Sequence, residues 1–289
     1  MRRALRRLLG RLLPEAVKRP VRGRMFGFRA PRSELRPAFA ERGGDVVVTL
    51  DRMLELKAPA SALGDLQYHL RDNGESVDEI AGLLRVARSP GGLLLDVGGH
   101  KGVLACLFCL AAPGNRAVSY EPSPRLRSEA ERIRAMNGLE ARLELNGAAV
   151  GDRSFETTGY VDASGVAGFG EPPPGTERIP VSFTTLDAEC ERLGRWPDVV
   201  KIDIEGFEDL ALAGAARLIA EHPPILLLEL HLDLLEGRGV PVRGLLDDLR
   251  RSGYEYRSPT GRALSAGAIA ASPAAVRRVI GMPAPRRMA

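Results

Sequence analysis

Between residues 93 and 257, short apolar runs alternate with stretches in which apolar residues recur every three to four positions. The runs at 93–97, 199–204 and 225–230 are rich in Val, Leu and Ile, the pattern of strands covered on both faces, and 117–120 reads as a second strand. Helical spacing follows at 103–112, 186–193, 208–220 and 242–252. A further helix is predicted after Ser123, with Pro124 at its first position, Leu126, Ala130 and Ile133 inward, and a stop at Asn137-Gly138. Residues 143–145 and 148–150 read as a short third strand, 179–183 as another, and 254–257 as the start of a final strand pair. Repeated strand–helix units predict an α/β fold: a doubly wound, mostly parallel sheet with helices on both faces. Upstream, 46–50 and 53–57 flank Asp51-Arg52 as a hairpin, and 61–70 reads as helical. Ser76 with Glu79 reads as a capping box for a helix with the stripe Val77, Ile80, Ala81 and Leu84. Residues 157–176 are polar and rich in Gly and Pro, hence a long loop or loose hairpin. Residues 273–289 lack periodicity. The expected organisation is a basic extension over 1–39, one domain over 40–270 with its core at 90–257, and a flexible tail over 271–289.

The amino-terminal pattern differs. Leu5, Leu8, Leu9, Leu12 and Leu13 form one stripe of a helix over about 2–13, with arginines mostly off it. Residues 1–32 hold 11 Arg or Lys and one acid, a net +10, so the other 257 residues carry −6 and the whole chain +4. The pI of 9.2 therefore belongs to the head and does not favour a nucleic-acid partner. A basic amphipathic helix can instead touch an anionic membrane or a partner through residues 1–24. Hydrophobic residues make up 44% and charged residues 27%, which excludes wholesale disorder. No run approaches the ~18 apolar residues of a transmembrane segment. The 3 cysteines cannot build a disulfide framework and point to a reducing compartment, hence the cytoplasm. The spacing of Cys106 and Cys109 suits two buried helix residues better than a redox pair.

Four places carry chemistry. Asp96-Val97-Gly98-Gly99-His100-Lys101-Gly102 joins a strand to a helix, where open α/β sheets bind ligands. Its glycine spacing is not that of a dinucleotide binder, and an acid at the strand end suits the cationic methionine part of S-adenosylmethionine. Glu121, in Tyr120-Glu121-Pro122, closes the second strand, where a carboxylate can accept bonds from both ribose hydroxyls of an adenosine ligand. Lys201, Asp203 and Glu205 share a face if the strand runs through them, in Lys201-Ile202-Asp203-Ile204-Glu205-Gly206-Phe207-Glu208. Buried charges at a strand end need partners among themselves, substrate, cofactor or metal. Glu229 and His231 share a face of the next strand, and His231 is a candidate general base.

These residues resemble the FkbM-type methyltransferases, a branch of the class I S-adenosylmethionine-dependent methyltransferases. The resemblance spans roughly 75–257 and rests on Asp96-Val97-Gly98 with Gly102, Tyr120-Glu121-Pro122, Thr185-Leu186-Asp187, the 201–208 stretch, Gly214-Ala215 and Glu229. It implies a Rossmann-like, seven-stranded sheet whose last strand is antiparallel. It also implies methyl transfer, usually to a hydroxyl oxygen of a sugar, polyketide or similar metabolite. Asp96, Gly98, Gly99, Gly102, Glu121 and Pro122 would line the cofactor, with Asp203 beside the methyl donor. The family usually has Ala-Asn-Ile-Gly where this chain has Gly99-His100-Lys101-Gly102, so His100 or Lys101 becomes the candidate contact for the cofactor's carboxylate.

Methyl transfer chiefly needs alignment, plus an acceptor for the hydroxyl proton. The candidates are His231, Asp203 and Glu205, with Lys201 beside them. The acids Asp203, Glu205, Glu208 and Glu229 could instead hold a divalent cation, which is the less favoured arrangement. The acceptor pocket is expected from 57–75 and 157–180. Two other readings compete: a nicotinamide-dependent oxidoreductase, disfavoured by the turn spacing, and a non-catalytic module that binds membrane or acidic partners through its basic head.

Overall fold

The computed structural model describes residues 35–51, 54–162, 165–172, 174 and 176–284. The helix expected over 2–13 and the basic segment 1–24 lie outside these residues.

Strands β1 (Ala38–Arg42), β2 (Asp45–Leu50) and β3 (Leu54–Pro59) form an antiparallel sheet, with Leu50 opposite Leu54 as the hairpin requires. Val46, Val48 and Leu50 alternate inward, while β1 has mostly exposed side chains and no pattern by which to find it. After α1 (Leu63–Gln67) and a wide turn at Tyr68–Asp72, helix α2 spans Gly74–Ala87. Its cap is not the expected Ser76–Glu79 box: Asn73 Oδ1 accepts from Ser76 N–H, one turn earlier. Glu79 is thereby free to point inward and is buried.

The main sheet holds β4 (Leu93–Val97), β5 (Arg116–Tyr120), β6 (Leu143–Asn146), β11 (Val199–Ile202), β12 (Ile225–His231), β13 (Tyr254–Arg257), β14 (Ala263–Leu264) and β15 (Val276–Pro283). Their spatial order is β14-β13-β15-β12-β11-β4-β5-β6. Strands β4, β5, β6, β11 and β12 pair in parallel, and β15 runs antiparallel to both neighbours. The sheet thus has eight strands rather than seven, because a turn at Gly261 folds the two-residue β14 back onto Tyr256 and Arg257.

The tail expected over 271–289 is also corrected. Residues Val276–Pro283 form β15, inserted between β12 and β13 with Val279 and Ile280 fully buried. Its paired arginines and flanking prolines hid an apolar strand.

Crossover helices cover both faces. They are α3 (Val103–Ala111), α4 (Pro124–Met136), α5 (Leu186–Leu193), α6 (Glu208–Ala213), α7 (Ala216–Glu221), α8 (Leu232–Gly237), α9 (Val242–Arg251) and α10 (Ala266–Ala270). Successive strand residues enter opposite cores: Leu94, Ala117, Val199 and Leu227 meet α2 and α3, whereas Leu93, Val118, Val200 and Leu226 meet the other layer. No helix among the described residues is long and apolar enough to cross a membrane.

The segment expected as a long loop or loose hairpin over 157–176 folds back antiparallel as part of a second sheet. That sheet holds β7 (Ala149–Val150), β8 (Phe155–Val161), β9 (Ala167–Gly168) and β10 (Glu177–Thr184), in the order β7-β10-β8-β9. Most of β8 is exposed, so its polar sequence did not read as a strand.

Candidate active site

The site lies beyond the carboxyl ends of β4, β5, β11 and β12, around a cavity of about 680 Å³. Its first wall is the turn after β4. Gly98 has φ +79°, and a side chain there would meet the backbone oxygen of Asp203 at 1.8 Å. The N–H groups of Gly98 and Gly99 both donate to Tyr120 O at 3.0 Å, tying this turn to the end of β5.

Glu121 lies beside it. One carboxylate oxygen accepts from His100 N–H at 3.0 Å and the other from Ser123 N–H at 2.9 Å. Burial pushes its pKa up to about 7 despite these two bonds. Gly98, Glu121, Pro122, Asp203 and Glu205 line the cavity, whereas Asp96, Gly99, Gly102, Lys201 and His231 do not. Asp96 is buried beneath the turn, with Oδ2 unpartnered and its pKa pushed up to about 7 by burial. Gly102 starts α3 in the left-handed conformation.

The two basic residues of the turn separate. His100 lines the cavity, but Lys101 turns away to Asp65 at 2.5 Å and Glu129 at 3.1 Å, pinning α1 to α4. His69, from the turn after α1, also lines the cavity. Burial lowers the pKa of both histidines.

Beneath the cavity lies a charged network. Lys201 Nζ is 3.2 Å from Asp203 Oδ2, 3.2 Å from Glu229 Oε2 and 3.8 Å from Glu79 Oε2. Arg278 donates to Glu229 Oε1 at 2.6 Å, and its Nε is 3.5 Å from Glu79. Burial opposes the Lys201 charge, but the carboxylates outweigh it and hold its pKa above the ordinary value. Burial likewise opposes the Asp203 charge, and Lys201 overcomes it to hold that pKa low. Burial raises Glu79 and Glu229. Sequence reasoning missed Glu79, assigned to a cap, and Arg278, assigned to a tail.

At the far corner β11 ends at Ile202, so Asp203 and Glu205 extend from a loop rather than a strand. Glu205 has φ +52°, an uncommon conformation for a residue with a side chain. His231 Nε2 lies 3.2 Å from Glu205 Oε2 and 4.0 Å from Asp203 Oδ1. Its Nδ1 is 2.9 Å from Glu208 Oε1, which also accepts from Gly206 N–H at 3.0 Å. Glu208 is fully buried at the start of α6. Burial alone would lower the His231 pKa, but Glu208, Glu205 and Asp203 together push it up to about 9.

The remaining wall is aromatic. Phe155 stacks on Phe183 at 4.4 Å, Phe183 meets Phe169 at 5.0 Å, and Phe169 meets Phe207 edge-on at 5.8 Å. Phe169, Phe183, Phe207 and Tyr160 face the cavity, as do Tyr68 and His69. Residues of both 57–75 and 157–180 therefore line this cavity. Cys106, Cys109 and Cys190 are buried and free, away from this wall.

An adenosine ligand fits these residues. Glu121 presents a buried carboxylate for ribose hydroxyls beside apolar Val97, Pro122, Leu126 and Val150.

The sequence matches the methyltransferase FkbM domain over residues 96–256. No curated protein matches it. Among solved structures, the FkbM methyltransferase of Methylobacillus flagellatus is 16% identical, with a TM-score of 0.42 over 76% of this chain and 58% of that one. This chain thus spans less than two thirds of that protein. A SAM-dependent methyltransferase of Agrobacterium tumefaciens is 11% identical, with a TM-score of 0.43 over 84% and 70% of the two chains. An O-methyltransferase of Bacillus cereus, in complex with SAH, is 12% identical, with a TM-score of 0.40 over 76% and 84%. The matched domain covers more than half of the chain and encloses Asp96, Glu121, the 201–208 stretch and His231, and the chain belongs to the FkbM family of S-adenosylmethionine-dependent methyltransferases.

Proposed function

We propose that the protein transfers a methyl group from S-adenosylmethionine to a hydroxyl oxygen of a sugar, polyketide or other small metabolite. One observation carries the reading: the Glu121 wall and the Asp203–Glu205 corner line the same cavity, so a nucleoside holder and a proton-accepting group face one space. When bound, S-adenosylmethionine supplies a methyl group already activated on a sulfonium.

The chain's residues do the rest. Glu121 accepts from the ribose hydroxyls, and Gly98 and Pro122 shape the wall around them. His100 and His69 are the cavity-facing polar groups on the turn side, and they take over the contact with the carboxylate that Lys101 leaves. Lys201 and Arg278 act indirectly, fixing Asp203 and Glu229 at the cavity floor. The aromatic wall offers ring faces to the acceptor, excludes water and sets its approach. At the corner of Asp203, Glu205 and His231, the acceptor hydroxyl gives up its proton to the cavity-lining Glu205 carboxylate, directly or through water. His231, held protonated by Glu208, Glu205 and Asp203, orients that carboxylate.

The proposed location is cytoplasmic, with residues 1–24 as a peripheral contact to anionic membrane. Sedimentation with anionic liposomes, with and without residues 1–24, tests that contact. Unchanged binding after deletion removes it.

Calorimetry with S-adenosylhomocysteine tests the central reading, and absence of binding to the wild type ends it. A labelled methyl-donor assay against an extract, followed by mass analysis, then identifies the acceptor. Label on nitrogen or carbon instead of oxygen refutes the hydroxyl assignment.

A further inference from the structure

We propose that Asp203, Glu205 and His231 form a site for a divalent transition-metal ion that binds the acceptor's hydroxyl oxygen. The ion's purpose rests on the methyltransferase reading; its place rests on geometry.

One donor atom from each residue lies within 4.8 Å of the other two. A point equidistant from three atoms so spaced is roughly 2–3 Å from each, which small side-chain shifts bring to the bond length of a bound ion. Two carboxylate oxygens and an imidazole nitrogen suit an ion such as Mn²⁺ or Zn²⁺ better than Mg²⁺ or Ca²⁺, which favour all-oxygen shells.

His231 supplies an independent argument. Its side chain is 8% exposed, and the fully buried Glu208 occupies Nδ1, so Nε2 faces the acids. A metal-bound histidine almost always gives its other ring N–H to a carboxylate or carbonyl, which is the relation Glu208 has to it.

Charge supplies a third argument. Lys201 and Arg278 are spent on Glu79, Asp203 Oδ2 and Glu229. Among the described residues, neither Glu205 nor Glu208 pairs with a lysine or arginine. Asp203 Oδ1, Glu205 and Glu208 therefore converge on one imidazole, whose own proton offsets one of these charges; a dication that takes that proton's place on Nε2 offsets two.

Asp203 and Glu205 line the cavity, so coordination positions not taken by protein face the incoming acceptor. A hydroxyl bound there loses its proton to water more readily, and its oxygen keeps the electron pair that forms the new bond to the methyl carbon. The methyl–sulfur bond breaks as that bond forms, and its electron pair returns to the sulfur of the departing S-adenosylhomocysteine.

The test is titration of the full chain with Mn²⁺ alone, following free Mn²⁺ by electron paramagnetic resonance. The wild type is expected to bind one equivalent, with affinity at least tenfold weaker in Glu205→Gln and in His231→Asn. Glu205 is exposed, so its variant keeps the test valid if His231→Asn fails to fold. No binding by the wild type, or undiminished binding in Glu205→Gln, overturns the site. Calorimetry with S-adenosylhomocysteine on the same samples separates the two failures. A wild type that binds that ligand but fails to bind Mn²⁺ refutes the metal site alone, and a wild type that binds neither refutes the methyl-transfer reading too.

Discussion

Glu208 Oε1 lies 2.9 Å from Nδ1 of His231, inside the protein, although 23 residues separate them. The bond joins the first turn of α6 to the end of β12, and it decides which imidazole nitrogen faces the cavity side.

In the metal-free protein, Glu208→Gln is expected to lower the His231 pKa from about 9 toward its ordinary 6.5, because a charge and a charge-assisted bond are lost together. NMR titration of the His231 ring measures it. An unchanged value would mean that Glu205 and Asp203 alone set the charge of this ring.

Glu121 ionises near pH 7 because it is buried, and only its carboxylate form accepts from two hydroxyls. Affinity for S-adenosylhomocysteine should therefore rise between about pH 6 and 8 in the wild type. Glu121→Gln should weaken binding by about tenfold at pH 8, equivalent to ~1.4 kcal/mol, and flatten the pH dependence. Calorimetry at three pH values checks both; a parallel slope in the variant would refute the assignment.

Asp96 has a folded pKa of about 7 against an ordinary 3.8. Its contribution to stability is present below the lower value and is lost as the pH rises through the higher one, since the folded state holds the proton more tightly. Asp96→Asn should therefore raise the melting temperature of the ligand-free protein at pH 8, by several degrees for a gain of about 1–3 kcal/mol. That gain should shrink as the pH is lowered toward 4. A pH-independent difference in thermal scans would show that Asp96 does not titrate in this range.

Lys201→Met leaves the buried Glu79 and Glu229 with Arg278 as their cation and the half-buried Asp203 with His231. Breaking a buried pair from one side costs about 3–5 kcal/mol, and the loss should ease at pH 5, where these carboxylates protonate more readily. Urea denaturation at pH 8 and pH 5 reads both numbers. A cost under about 1 kcal/mol at pH 8 would show that the network is hydrated.

The parts of the fold read correctly share one property: their residues serve a single purpose. Leu93–Val97 is apolar because both faces of β4 are covered, and Ser123-Pro124 caps a helix by local bonding. The place of Glu121 at the carboxyl end of β5, on the cavity wall, was legible because the strand before it is a short apolar run. The misread residues serve a distant partner. Glu79 resembles a cap residue by spacing, yet its position answers to Lys201 and Arg278, which are remote in sequence. Arg278 in β15 looks like tail chemistry because Glu229, its partner, becomes adjacent only when that strand inserts. Glu205 departs from strand alternation because Gly206 at φ +88° begins a turn that periodicity does not reveal.

Strand β15 also imposes an order of assembly. Synthesis runs from the amino end, so Glu79, Lys201 and Glu229 all leave the ribosome before Arg278 does. A nascent chain lacking β15 has one cation for three carboxylates and an open slot between β12 and β13. The electrostatic balance beneath the cavity is thus reached only once residue 278 can dock. Premature release before that strand is expected to yield a sticky, unclosed sheet rather than a weaker enzyme.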